Sequence, residues 1–205
     1  MKILVLGGTQ MVGRDFVETI QNNYPEYELY LANRGVTNSQ LFPEAQRIFI
    51  DRNIGTSCST LANYKFDIVI DFSCYTMDQY KNTIKYINCN KYILISTQSV
   101  LDNNTLNKKD RLDAYYWYCV NKKKLEEYVL LHNSQTTIIV RPGAIYGPND
   151  YTNRFEYRDG KFYWKDTNLE PSTFTGCIYI KDFTTYLINN ILIPSLPTNT
   201  ILQIP

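Results

Sequence analysis

The side chains best suited to chemistry in this chain are a phenol and an amine four residues apart, in Tyr118-Cys119-Val120-Asn121-Lys122. On a helix, residues at that spacing share a face, so both groups can address one site. A nearby cation favours phenolate and draws a tyrosine down from about 10 toward working pH, making it a usable acid or base. Lys122 could also hydrogen-bond a ribose. The chain holds 18 Tyr and 13 Lys, so such a pair is expected by chance about once. Tyr157 and Lys161 form another, but Gly160 and a hairpin signal spoil its helical alignment. Tyr118 is set apart by Thr97, in the run Ser96-Thr97-Gln98-Ser99 that closes an earlier strand. That hydroxyl could hold a substrate carbonyl or alcohol oxygen for the phenol. Without Tyr118, Thr97 would read as a satisfied strand-end hydroxyl.

A second constellation lies near the start, where Gly7-Gly8-Thr9-Gln10-Met11-Val12-Gly13 follows a strand directly. In a dinucleotide-binding turn the first glycine makes the bend and the last lets helix approach strand. The helix N-terminus then offers N–H groups and partial positive charge to phosphates. The middle position, usually a glycine, is Gln10, a departure. Asn33-Arg34-Gly35 ends the second strand, where a carboxylate would bind a ribose 2′-OH and repel a 2′-phosphate. Asn33 and Arg34 offer donors instead, which favours NADP over NAD as coenzyme. Asp51, which could accept from an adenine amino group, and Arg52 close the third strand. Phe72, Ser73 and Cys74 close the fourth at the same carboxyl edge. Arg14 could add a cation.

These residues need a frame of alternating elements. Apolar runs predict strands over Lys2–Leu6, Glu28–Ala32, Arg47–Ile50, Asp67–Phe72, Tyr92–Ser96 and Thr137–Val140. Continuous apolar runs fit a sheet covered on both faces. Val12, Phe16, Val17 and Ile20 recur at helical spacing. Thr76 and Gln79 form a capping box before a helix with Tyr80, Ile84 and Ile87 on its apolar face, and another helix spans about Tyr115–His132. The rhythm predicts an α/β fold, a Rossmann-type doubly wound parallel sheet. Residues 1–148 would form the dinucleotide-binding domain. Residues 149–205 would hold a reduced substrate region plus a closing strand and helix: Phe155–Trp164 as a hairpin around Asp159-Gly160, a strand at Cys177–Ile180, a helix capped by Asp182, and a strand at Ile201–Ile204.

Composition removes several functions. With 44% hydrophobic and 20% charged residues the 205-residue chain is globular. A formal charge of +1 gives no field that would recruit nucleic acid or an anionic membrane. The clusters Lys108, Lys109, Arg111 and Lys122 to Lys124 speak only weakly for RNA. No apolar run reaches transmembrane length, and the opening segment is too short for a signal-peptide core, so the expected compartment is the cytoplasm. Five scattered cysteines without C-x-x-C, and the single histidine His132, argue against zinc and against a histidine-based hydrolase.

In order along the chain, Gly7-Gly8-Thr9 through Gly13, Thr97, Tyr118 with Lys122, Glu126, and Arg141-Pro142-Gly143-Ala144-Ile145-Tyr146-Gly147-Pro148 together resemble the short-chain dehydrogenase/reductase superfamily, in its extended NAD-dependent epimerase/dehydratase branch. The last string is the most specific of these matches. The resemblance implies a nicotinamide coenzyme, a small-molecule substrate and hydride transfer at a carbinol or carbonyl carbon. It also implies catalytic roles for Thr97, Tyr118 and Lys122, coenzyme contacts near Pro142, and a homodimer as a possible assembly. Only 57 residues follow Pro148, fewer than the branch's nucleotide-sugar clamp needs. The substrate is then smaller, or a partner completes the pocket, or the chain binds coenzyme without catalysis.

Overall fold

The computed structural model describes residues 1–106, 113–132, 135–194 and 196–204. Lys108, Lys109 and Arg111 of the basic cluster lie outside that set. Seven strands, β1 (Lys2–Leu6), β2 (Glu28–Asn33), β3 (Gln46–Phe49), β4 (Phe66–Asp71), β5 (Cys89–Ile95), β6 (Thr136–Pro142) and β11 (Thr200–Ile204), form one parallel sheet in the order β11-β6-β5-β4-β1-β2-β3. The order reverses at β1, leaving a crevice at the carboxyl ends of β1 and β4, where ligands bind in open α/β sheets.

The alternation of side chains explains why these strands read as unbroken apolar runs. Ile3 and Val5 pack on one face with Phe16, Val17 and Ile20 of α1 (Met11–Asn23) and Phe183 and Leu187 of α5 (Ile180–Leu187). Leu4 and Leu6 pack on the other with Tyr80 of α2 (Met77–Ile84) and Leu125 and Val129 of α4 (Ala114–Leu131). Each fully buried side chain of this kind contributes about 1.5–3 kcal/mol. α1 stops at Asn23, because Tyr24 precedes Pro25 and that position disfavours helical backbone.

Thr76 caps α2 by accepting from the Gln79 N–H at 3.2 Å, while the Gln79 side chain reaches back to the Tyr75 N–H at 2.9 Å. The helix ends at Ile84, short of the expected Ile87. The β3–β4 crossover is a 3₁₀ run, Gly55–Asn63, and the short turn α3 (Asn103–Leu106) precedes α4.

After β6, the three-residue strands β7 (Ala144–Tyr146) and β10 (Cys177–Tyr179) pair in parallel as a separate ribbon. Between them β8 (Phe155–Arg158) and β9 (Lys161–Trp164) make the expected hairpin, its turn held by Asp159 at φ 51° and Gly160 at φ 80°. Asp182 was expected as the cap of the next helix. It lies inside the first turn of α5 instead, with Tyr179 at the cap position. α5 runs on into a π-helical turn, Ile188–Leu192, whose end is tied to β5 by Lys91 Nζ donating to the carbonyls of Ile191, Leu192 and Pro194. Among the described residues no helix is long and apolar enough to cross a membrane.

Candidate functional site

A cleft of about 1140 Å3 follows the carboxyl edge of the sheet across the β1/β4 crevice. It is larger than the pockets usual for drug-sized ligands. Of the fifteen positions singled out for coenzyme contact, Gly7, Thr9, Gln10, Met11, Val12, Gly13, Asn33, Arg34, Asp51, Arg52, Phe72, Ser73, Lys122 and Pro142 all line it. Thr97 and Tyr118 line it as well. Cys74 does not. It is fully buried with its thiol toward the Thr76 carbonyl, and burial pushes that thiol up to about 12, with Arg52 pulling it back.

The glycine turn is as tight as its composition demands. Gly7 holds φ 86°, and a Cβ there would lie 2.7 Å from the Cβ of Ser73. A Cβ on Gly13 would lie 2.1 Å from the Gly7 carbonyl oxygen, so helix and turn could not both stay in place. Gln10 sits at the N-cap in extended backbone with its side chain making no capping bond, and the first turn of α1 carries no acidic residue. Met11 begins the helix at φ 38°. A helix start whose cap residue makes no side-chain bond and whose first turn carries no acidic residue is suited to an anion. The substitution at the middle glycine therefore leaves the cradle open.

At the far end of β2, Arg34 is exposed and lacks an ion-pair partner among the described residues. Asn33 accepts from the Gly35 N–H at 2.9 Å, while its Nδ2 is enclosed without a partner. Arg14 is spoken for: it donates to Glu18 at 2.8 Å and to Asn149 at 3.1 Å. Asp51 accepts from the Asn53 N–H at 3.0 Å.

Arg52 touches the cleft but is chiefly a buried structural ion. It makes a bidentate pair with Asp71, at 2.8 and 2.7 Å, and donates further to Thr83 and Ser73. Tyr92 donates to the same carboxylate at 2.6 Å. Burial works against the guanidinium charge, and Asp71 more than offsets it, holding Arg52 above the usual arginine range.

On the other side of the crevice, Thr97 closes β5 and Tyr118 and Lys122 project from α4. α4 is fixed to β6 by a part-buried pair in which Arg141 donates to both carboxylate oxygens of the buried Glu126, the shortest contact being 2.6 Å. The Thr97 hydroxyl belongs to a chain with Ser99 and Tyr115: Thr97 donates to Ser99 Oγ at 3.1 Å and Tyr115 donates to it at 2.7 Å. Lys122 is almost fully buried; its Nζ donates to the Ile95 carbonyl at 2.8 Å and lies 5.3 Å from the centre of the Tyr75 ring.

The electrostatics reverse one expectation. Lys122 was expected to draw the Tyr118 phenol down. Burial instead pushes Tyr118 up to about 12, with the Thr97 hydroxyl pulling the other way. Burial also lowers Lys122.

Tyr151 and Arg154, in the segment 149–155 that the resemblance implies leads into a substrate region, line the cleft, and the structure adds two wall residues that sequence reasoning passed over, Tyr75 and Trp164. Tyr75 had one available signal, its place directly after the fourth strand's carboxyl end. Tyr157 is exposed on the hairpin, and Lys161 pairs with Glu170. His132 caps the end of α4, bonded to the Tyr128 carbonyl and stacked on that ring at 4.1 Å.

No protein-family model and no curated protein sequence matches this chain. Solved structures share its fold. A putative epimerase from Burkholderia cenocepacia J2315 aligns with TM-score 0.72 at 16% identity, over 99% of this chain and 74% of that one. The oxidoreductase ylbE from Lactococcus lactis aligns with TM-score 0.67 at 16% identity, over 99% and 90%. UDP-glucuronic acid 4-epimerase from Bacillus cereus, solved with UDP-glucuronic acid and NAD, aligns with TM-score 0.66 at 16% identity, over 100% and 77%. The chain thus has the Rossmann-like fold of these epimerase and oxidoreductase structures, on a shorter length.

Proposed function

We propose that the protein is a nicotinamide-coenzyme-dependent oxidoreductase or epimerase of the extended short-chain type, with NADP(H) as the preferred coenzyme. One observation carries this reading: the open N-terminus of α1 and the group Thr97, Tyr118 and Lys122 face one continuous cleft. The cradle suits the coenzyme, because Gly7 and Gly13 leave no room for a Cβ beneath it. The first turn of α1 would hold the diphosphate, Asn33 and Arg34 a 2′-phosphate, and Lys122 a ribose. Bound there, the coenzyme would exchange hydride with a carbinol or carbonyl carbon of a small substrate. Thr97 Oγ1 orients the substrate oxygen. Tyr118 Oη gives that oxygen a proton in reduction and receives it in oxidation.

Tyr118→Phe is expected to abolish turnover of carbonyl substrates while coenzyme affinity stays within about twofold. Equal activity in the variant would overturn the reading. Titration with NADPH and NADH tests the coenzyme preference. Arg34→Ala should weaken NADPH on the order of tenfold, the worth of a charge-assisted contact, and leave NADH unchanged. A second reading, coenzyme binding without catalysis, draws on the Tyr75 ring beside Lys122 and on the elevated Tyr118 phenol. Coenzyme binding with no reduction of any carbonyl or sugar in a broad screen would favour it.

A further inference from the structure

Tyr75 stands on the loop between β4 and α2, where the two halves of the cleft meet. Its N–H is fixed by Gln79 Oε1 at 2.9 Å, so the backbone is anchored while the side chain reaches into the cleft. Its ring centre lies 5.3 Å from Lys122 Nζ and 6.2 Å from the Tyr118 ring. Tyr151, from the segment after β7, lines the same cleft and interacts with the Tyr75 phenol. Tyr75 nevertheless keeps 41% of its surface exposed. Its phenol end is enclosed and the ring lies against one cation and two phenols.

We propose that the Tyr75 ring occupies the ribose seat beside Lys122, so that the nicotinamide-bearing half of a coenzyme enters only as that ring leaves. The inference rests on the coenzyme reading above. It follows from where the amine points. Lys122 has one donor committed to the Ile95 carbonyl, and the aromatic face lies next to the ammonium. A ring in that position attracts the cation, and a ligand needing the same cation must displace it. The apparent affinity then falls by the fraction of molecules in which the seat is open. The adenine-bearing half meets no such competition, because its residues, Asn33, Arg34 and Asp51, lie across β1 at the ends of β2 and β3.

The test titrates the unaltered protein and Tyr75→Ala with NADPH and with adenosine 2′,5′-bisphosphate, its adenine-bearing half without the second ribose. Tyr75→Ala should tighten NADPH about fivefold, the scale of an exposed cation–aromatic contact, and leave the fragment unchanged. Weaker NADPH binding, no change, or an equal change for both ligands overturns the proposal. Tyr75→Phe keeps the ring over Lys122 but loses the Tyr151 contact, guards against a folding fault in the alanine variant, and should tighten NADPH less than Tyr75→Ala while leaving the fragment unchanged. A tightening in Tyr75→Phe equal to that in Tyr75→Ala would assign the effect to the phenol and overturn the ring's role. If neither ligand binds the unaltered protein, the coenzyme reading falls and this proposal with it. If both bind and Tyr75→Ala behaves as the unaltered protein, only this proposal falls.

Discussion

A phenol held near 12 carries its proton at every pH a cell provides, so Tyr118 is poised as an acid and is scarce as a base. At pH 7 about one molecule in 10⁵ would hold the phenolate. The two directions of reaction should then differ in pH dependence. Reduction needs the protonated phenol, which is fully present below pH 10, so its rate should be flat from pH 6 to about 10. Oxidation needs the phenolate, and its kcat/KM should rise about tenfold per pH unit over the same range without levelling. A plateau near pH 7 in the oxidation profile would show that the phenol is not held high by its setting. Thr97 pulls Tyr118 downward, so Thr97→Val should move the oxidation profile further toward alkaline pH. Spacing suggested a lysine-activated tyrosine, but spacing counts residues along a helix and not the desolvation that raises the phenol.

Among the elements, the β1–α1 joint is the one the cleft can least do without. A methyl group on Gly13 would meet the Gly7 carbonyl at 2.1 Å, and neither partner is a flexible side-chain end. Gly13→Ala should therefore push α1 off β1, destabilise the fold by about 1–3 kcal/mol, and weaken coenzyme binding beyond detection. Urea unfolding and coenzyme titration measure the two effects separately. This joint was legible in the sequence because glycine placement states its own steric reason. The strands were legible for a related reason: burial on both faces leaves an unbroken apolar run, as in Ile3-Leu4-Val5-Leu6. The hairpin was legible because Asp159-Gly160 tolerates the left-handed backbone it adopts. The strand expected at Cys177–Ile180 is β10, but β7 and its pairing with β10 were not legible, since that pairing is set by contacts more than thirty residues apart and no local pattern carries it. The 3₁₀ crossover Gly55–Asn63 was hidden similarly, with Cys58 and Leu61 its only buried residues.

At the scale of the whole molecule, the sheet's two halves are joined beneath the cleft by Arg52, Asp71 and Tyr92. They bring together the segment after β3, the end of β4 and the middle of β5, and Thr83 brings in α2. Sequence position put Arg52 among the coenzyme contacts, because both an arginine at a strand's carboxyl end and a buried ion look alike until the partner carboxylate is seen. Asp71, fully buried, is the partner that a linear reading had no reason to choose. The consequence is global stability. Arg52→Leu would leave the Asp71 carboxylate enclosed without its counter-ion, which typically destabilises by about 3–5 kcal/mol. The paired change Arg52→Leu with Asp71→Leu removes both charges and should recover part of that loss, since two apolar groups leave only the Tyr92 and Ser73 donors unmet. Urea unfolding of the two variants should therefore rank the single change below the double. If the single change instead unfolds like the unaltered protein but loses coenzyme, Arg52 is a ligand-binding residue and the network is incidental to the fold.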